Sequence, residues 1–471
     1  MRPSAATLRP DAPPGRPALR ALRRPPPPRL GEGVAFRPAK AVSGGAPVHA
    51  QTGAKPGLEE TVMTRITRRA LLGGALAAPA FIQASAHAQP STVRLALLTP
   101  LSGPFARQGE LERLGAVLAV EDINRQGGIK ALGGARLELS IADAGANVEQ
   151  VTAAAQRLVA DRGLVAGLGA WASSFTLAAT EVTERARLPW ITLSWADTIT
   201  ERGFHYVIAT SPPSSSIIPA ALRPLLAMAE RAAGKKPTTI ACINDDTAVN
   251  QANMKPLREG GFARLGLTTV MDENFSVPLS DAAPLIQRMR RSRPDLVLLG
   301  TTATSDSRLL LQTLTEFGLG QGKVPVIAPS ANWGTPEMLK NMGANYLEGV
   351  IGVAGNWTSK QQAALNQNLL QRAGEPWLIQ DTLSNYGHVL LVADALERAG
   401  KADRDALMQA LLATDTTEGP AKLFLGERLR FEPNGRRANP VPAVYQWKNG
   451  RPLTVLPEAD AEAELSWPRP G

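Results

Sequence analysis

Cysteine is almost missing from this 471-residue chain: Cys242 stands alone. No intramolecular disulfide can form, and no zinc-type Cys/His spacing exists. Cys242 sits in the apolar run Thr239-Ile240-Ala241-Cys242-Ile243, so a buried, inert core thiol is expected. Histidine is equally scarce. His49 and His87 fall in the first 88 residues, which leaves His205 and His388 as isolated singletons. A Ser-His-Asp triad needs a positioned histidine, and neither has a motif around it. No Walker A loop and no GxGxxG after a strand is present. The paired acids Asp245-Asp246 and Glu121-Asp122 read as solvated charges rather than as an acid/base pair. These absences point away from an enzyme, and they imply no cofactor and no metal.

One-sided charge is also missing where it would matter. The chain carries a formal +9. Residues 1–88 hold 13 Lys/Arg and 4 Asp/Glu, so the whole excess lies there. The remaining 383 residues hold 38 basic and 38 acidic side chains. Composition therefore gives no support for a nucleic-acid partner. No stretch beyond residue 88 approaches the roughly 20 apolar residues of a membrane helix.

What is present is an export signal, set inside the chain. Residues 63–88 begin with Met63, continue through paired Arg68 and Arg69, and run apolar from Ala70 to Ile82. Ala86-His87-Ala88 then supplies a cleavage site before Gln89. A charged start, an apolar centre and an A-x-A site define a secretory signal peptide, and adjacent arginines suggest the twin-arginine route. A periplasmic protein cleaved after Ala88 is expected. Residues 1–62, rich in Pro, Arg, Ala and Gly, read as a disordered leader: either the start is misassigned and Met63 is the true one, or a real extension precedes the signal.

The rest alternates strand and helix. Apolar runs at 93–98, 137–141, 165–168, 190–193, 239–243 and 296–299 read as strands. Helical spacing appears over 109–124, 148–161, 173–187, 282–291, 307–317 and 385–399. Such alternation argues for parallel sheets wrapped by helices, with ligands beyond the carboxyl ends of the strands. The loops there are rich in small polar residues and tryptophan. Ser173 and Ser174 open a helix, where hydroxyl and backbone N–H groups suit a carboxylate, or where the serines merely cap the helix. Asp306 could receive an ammonium group or cap its own helix. Trp171 and Trp195 could stack on a ring or pack between lobes.

At this point a resemblance emerges. The run Pro100–Ile129 (PLSGPFARQGELERLGAVLAVEDINRQGGI) resembles the opening of type I periplasmic solute-binding proteins, the Leu/Ile/Val-binding group of ABC importers. The segments GLGAWASS, PWITLSWADTITERG and LRFEPNGRRANPVPAVYQWKNGRPLTVLP follow in the same order. The resemblance covers nearly all of 92–457. It implies an α/β, two-lobed type I fold, each lobe a parallel sheet with helices on both faces, joined by three hinge crossovers near 210–214, 330–334 and 434–441. Lobe 1 would be 92–211 with 333–438, lobe 2 would be 212–332 with 439–457, and 458–471 a tail.

The resemblance also implies a ligand site. Ser173 matches the serine that holds a ligand carboxylate, with Ser174 beside it. Ser194 and Ala196 lie in the loop that supplies backbone and hydroxyl contacts. Asp306 matches the acid that pairs with an α-ammonium. Gln108 stands where many relatives have an aromatic residue, and Trp171 and Trp195 stand where relatives have smaller ones. The segment Asn244–Asn250 lacks the usual Tyr-Gly. These departures count against plain leucine. The implied function is a monomeric extracytoplasmic substrate-binding subunit, delivering an amino-acid-like, amide or aromatic or carboxylated ligand to ABC permease subunits. A ligand sensor of the same fold is the alternative, and a secreted hydrolase the remotest.

Overall fold

A computed structural model describes residues 92–468 except 427. The expected leader, signal and cleavage point lie outside the described residues.

Two sheets organise the body. The first has the order β2-β1-β3-β4-β5, all parallel, formed by β1 (Thr92–Thr99), β2 (Arg136–Asp143), β3 (Leu164–Gly169), β4 (Trp190–Thr192) and β5 (Val207–Ala209). The second has the order β14-β13-β10-β9-β8-β6-β7. Its strands are β6 (Thr239–Asp245), β7 (Thr268–Phe275), β8 (Leu296–Gly300), β9 (Val326–Ala328), β10 (Ile351–Ala354), β13 (Ala443–Lys448) and β14 (Arg451–Leu456). A small pair, β11 (Asp415–Thr416) with β12 (Leu429–Arg430), lies apart.

The sequence of β1 explains its burial. Val93, Leu95 and Leu97 face one core, while Ala96 and Leu98 face another. Alternate side chains of a strand point to opposite faces, so a sheet covered on both sides needs an unbroken apolar run. On one side lie α1 (Ala106–Arg125) and the helix Gln380–Ala399. On the other lie α2 (Val148–Ala160) and α3 (Ser173–Arg185). The second sheet repeats the logic. Ala241, Ile243, Val297 and Leu299 face the helices Ala283–Ser292 and Thr304–Glu316. Ile240, Cys242, Leu296 and Leu298 face the helix Ser214–Ala233. Cys242 is fully buried, and burial pushes its thiol well above the usual range, in line with an inert core role.

The second sheet departs from all-parallel at its edge. β13 runs antiparallel to β10 and to β14. Asn449 and Gly450 link β13 to β14 with φ of 52° and 77°, the left-handed pair that a tight hairpin requires.

One expected boundary is corrected. The second crossover was expected near 330–334, but β10 pairs with β9 and β13 in the second sheet. Residues 333–354 therefore stay with that sheet, and the chain returns to the first sheet's helices after Ala354. A further strand-helix-strand unit, with the helix Pro336–Met342 between β9 and β10, accounts for the shift. Ala209 N–H donates to Gly435 O and Arg437 N–H to Ala209 O, so the last passage starts on the edge of β5. The terminal segment is not loose as far as it is described. Leu465 and Trp467 pack on the core of the second sheet, and Ser466 N–H donates to Gln446 Oε1.

Candidate functional site

A cleft of about 620 Å³, counted to its open mouth, lies at the carboxyl ends of the strands of both sheets. Its walls come from loops after β3 (171–174), β4 (193–195), β6 (247–250), β8 (301–302) and β9 (329–331). Phe105 and Gln380 complete it. This is where ligands sit in open α/β sheets. Every lining residue is uncharged.

The α3 end of the cleft is built from local sequence. Ala172, not a serine, occupies the capping position of α3 and supplies no side-chain cap. The first turn of any helix leaves backbone N–H groups without intrahelical partners, and here they open beside the cleft. Ser173 is 4% exposed, and its Oγ accepts a hydrogen bond from Ala196 N–H at 3.3 Å. With a lone pair engaged, its own proton remains free to donate. Ser174 is half-buried on the same wall. Capping thus does not explain either serine.

Ser194 and Trp171 form a unit. Ser194 Oγ donates to Trp171 O at 2.6 Å and lies 2.6 Å from Thr176 Oγ1. Trp171 needs that support: its φ of 62° is left-handed, which costs a bulky residue about 1–3 kcal/mol. Its Nε1 donates to Asp381 Oδ1 at 3.0 Å, and its ring meets Phe105 with centroids 5.1 Å apart. Burial pushes the Asp381 carboxyl up to about 7, against the lowering effect of bonds from Trp171 and Gln380. Trp195 also lines the cleft while packing on the core of the second sheet. It is 6% exposed, and its Nε1 has no partner.

Three sequence candidates fall off the cleft wall. Asp306 sits in the first turn of the helix Thr304–Glu316, is 1% exposed, and takes a bond from the Ser305 hydroxyl. Burial raises its pKa. The helix phase turns it inward, so it is not on the cleft surface to meet an ammonium. Gln108 is buried on α1 and donates to Thr304 Oγ1 at 3.3 Å, joining the two sheets' layers. Ala196 reaches the site only through its N–H on Ser173. Trp333 is fully buried and donates to Thr301 Oγ1 behind the wall.

Asp245 overturns another expectation. It was read as a solvated charge, yet it is 0% exposed. Its Oδ1 accepts from Thr247 N–H at 3.1 Å, Thr247 Oγ1 at 2.5 Å and Asn250 Nδ2 at 2.7 Å. Its Oδ2 accepts from Thr302 N–H at 2.5 Å. A buried carboxylate this well bonded fixes two loops of the cleft at once. Asp246, its neighbour, is exposed. Asp122 is likewise buried, paired with Arg372 and bonded by Tyr386 OH.

Sequence reasoning missed Phe105, Thr247, Asn250, Thr302 and Gln380. The loops carrying the first four were conspicuous, and only the choice of residue was not. Gln380 gave no signal, because it reaches the cleft from the start of a helix more than 200 residues beyond Ser173. Among the described residues no cluster of three His, Cys, Asp or Glu could hold a metal ion, and no helix is long and apolar enough to cross a membrane.

Known proteins share this architecture. The chain is 26% identical over 422 residues to "Leu/Ile/Val-binding protein homolog 8" of Brucella suis, covering 86% of this chain and 98% of the relative. The fold matches the branched-chain amino acid transporter substrate-binding protein LivJ of Streptococcus pneumoniae, in complex with isoleucine. That match has a TM-score of 0.66 at 19% identity, over 80% of this chain and 100% of that one. It also matches a solute-binding protein of an ABC transporter from Rhodopseudomonas palustris, in complex with 3,4-dihydroxybenzoic acid. There the TM-score is 0.64 at 21% identity, over 77% and 95% of the two chains. A family profile described as periplasmic binding protein matches residues 92–452, from β1 into β14 and across both sheets and the cleft between them, so this chain belongs to the periplasmic binding protein family.

Proposed function

We propose that this chain is the extracytoplasmic substrate-binding subunit of an ABC importer, and that it captures a small carboxylate between its two lobes. It leaves the cytoplasm by the twin-arginine signal at 63–88 and delivers its cargo to membrane permease subunits. The observation that carries the reading is the uncapped start of α3 at the cleft wall, with the free proton of Ser173 beside it. Two kinds of donor lie there, and every lining residue is uncharged, which suits an anion. The mechanism is differential affinity: the closed arrangement holds the ligand from both walls, and no bond is made or broken.

A thermal-shift screen against amino acids, amides, aromatic acids and betaines tests this. A ligand at 100 times its Kd adds about 2.7 kcal/mol to the native state. Carboxylates should raise the transition, and Ser173→Ala should lower their affinity about ten- to a hundredfold, as expected for one hydrogen bond to a charged group. Indifference of the protein to every carboxylate in the screen would sink the proposal.

A further inference from the structure

The two walls of the cleft differ in hydrogen-bond polarity. The wall on the first sheet offers donors: the α3 N–H groups and the Ser173 proton. On the facing wall, the donor at Thr302 is already spent. Thr247 gives its hydroxyl proton to Asp245 Oδ1, a carboxylate that can only accept. In the 2.9 Å pair between Thr247 Oγ1 and Thr302 Oγ1, the proton must therefore come from Thr302. Thr302 Oγ1 is left with lone pairs. One of them faces Asn250 Nδ2 at a long 3.5 Å, which leaves it free to accept. Asp245 thus sets Thr302 as an acceptor without touching the cleft itself.

No carboxylate lines either wall to meet an ammonium. Asp245 is fully engaged, Asp306 is turned inward, and Asp381 is fully buried beneath the Trp171 indole. An ammonium would lose its water and find no carboxylate, an unfavourable exchange. Between the two ends the lining is apolar, with Phe105 and Trp171 at one side and Leu193, Trp195 and Val249 at others. Such surfaces suit a ring.

Building on the carboxylate reading of the α3 end, we infer that the ligand is an aromatic acid bearing an uncharged donor, such as a ring hydroxyl, and no amine, with Thr302 as the residue that selects for that donor. Asp245 acts as a positioning residue through Thr247.

Calorimetric titration of the purified full-length protein tests this with benzoate, 3- and 4-hydroxybenzoate, 3,4-dihydroxybenzoate, leucine and phenylalanine. At least one hydroxybenzoate should bind tenfold or more tightly than benzoate, and both amino acids more weakly than benzoate. Thr302→Val should abolish the gain from the hydroxyl, so that the hydroxybenzoates bind no more tightly than benzoate, and Thr302→Ser should retain it. The wild-type series decides the matter even if the valine variant does not fold. Leucine or phenylalanine binding as tightly as the hydroxybenzoates, or a ring hydroxyl that adds nothing, overturns the inference while leaving the α3 carboxylate site intact. Failure of every carboxylate to bind overturns the α3 reading, and this one with it.

Discussion

Glu112 offers a sharp test of the physics inside the first lobe. It lies on α1, 0% exposed, between Thr99 and Asn385. Burial, with a smaller push from the Asp381 charge, raises its carboxyl to about 8 from an ordinary 4.5. The neutral acid fits its neighbours well. A proton on Oε2 can be given to Thr99 Oγ1, 2.6 Å away, and Thr99 can pass its own to Gly109 O. Oε1 still accepts from Asn385 Nδ2 at 3.1 Å. A glutamine reproduces this pattern atom for atom, with its amide nitrogen as the donor.

Because the folded pKa lies above the unfolded one, the stability that wild-type Glu112 contributes is complete below about pH 4.5. It is lost as pH rises through about 8. At 1.36 kcal/mol per pH unit the loss approaches about 5 kcal/mol above pH 8, and about 3 kcal/mol at pH 7, both as ceilings. Glu112→Gln carries no such loss. The variant should match wild type at pH 4.5–5 and exceed it progressively toward pH 8. With an unfolding entropy of roughly 0.8 kcal/mol/K for a body of this size, the expected gain in Tm at pH 8 is about 4–6 °C. Paired thermal melts at pH 5 and pH 8 measure it. A variant no more stable than wild type at pH 8, or equally shifted at both pH values, would refute the reasoning.

Two further outcomes are expected. Arg107 on α1 bridges Glu337 of the second lobe and Glu375, each at 2.7 Å, and is half-buried. Arg107→Ala should relax lobe closure and weaken ligand binding about two- to fivefold, given pairs worth roughly 0.2–1 kcal/mol each, and raised salt should mimic it in titrations of the wild type. Gly352 on β10 lies beneath the Tyr445 ring, and a Cβ there would fall 1.9 Å from Tyr445 Cζ. Since Tyr445 is itself stacked on Trp357 with centroids 4.1 Å apart, Gly352→Ala should cost about 1–3 kcal/mol or more in chemical denaturation. A wild-type midpoint would show that the ring can move aside.

How far the fold was legible follows from the strands. Val93–Leu98 and Leu296–Leu299 are apolar without interruption, and only a sheet covered on both faces needs that. β10 escaped notice because Ile351-Gly352-Val353-Ala354 is short and carries a glycine, a weak strand signal that only Tyr445 above it explains. The loops of the site were legible for the same reason as the strands, since they must follow the carboxyl ends. The individual residues were not. Asp306 follows a loop that reaches the cleft, yet its place in the first turn of the next helix buries it. Asp245 looked like an exposed acid until two loops closed on it.

The sequence by itself determined what local rules govern: the alternation of strand and helix, and the charge balance of the residues after 88 against the basic excess of 1–88. Composition and periodicity suffice for these, because each depends on neighbours within a few residues. Only the tertiary structure decided which hydroxyls donate and which accept. Ser173 owes its free proton to Ala196, and Thr302 owes its lone pair to Asp245 through Thr247. A hydrogen bond's direction is set by everything else its atoms touch, and those partners lie 23 and 57 residues away.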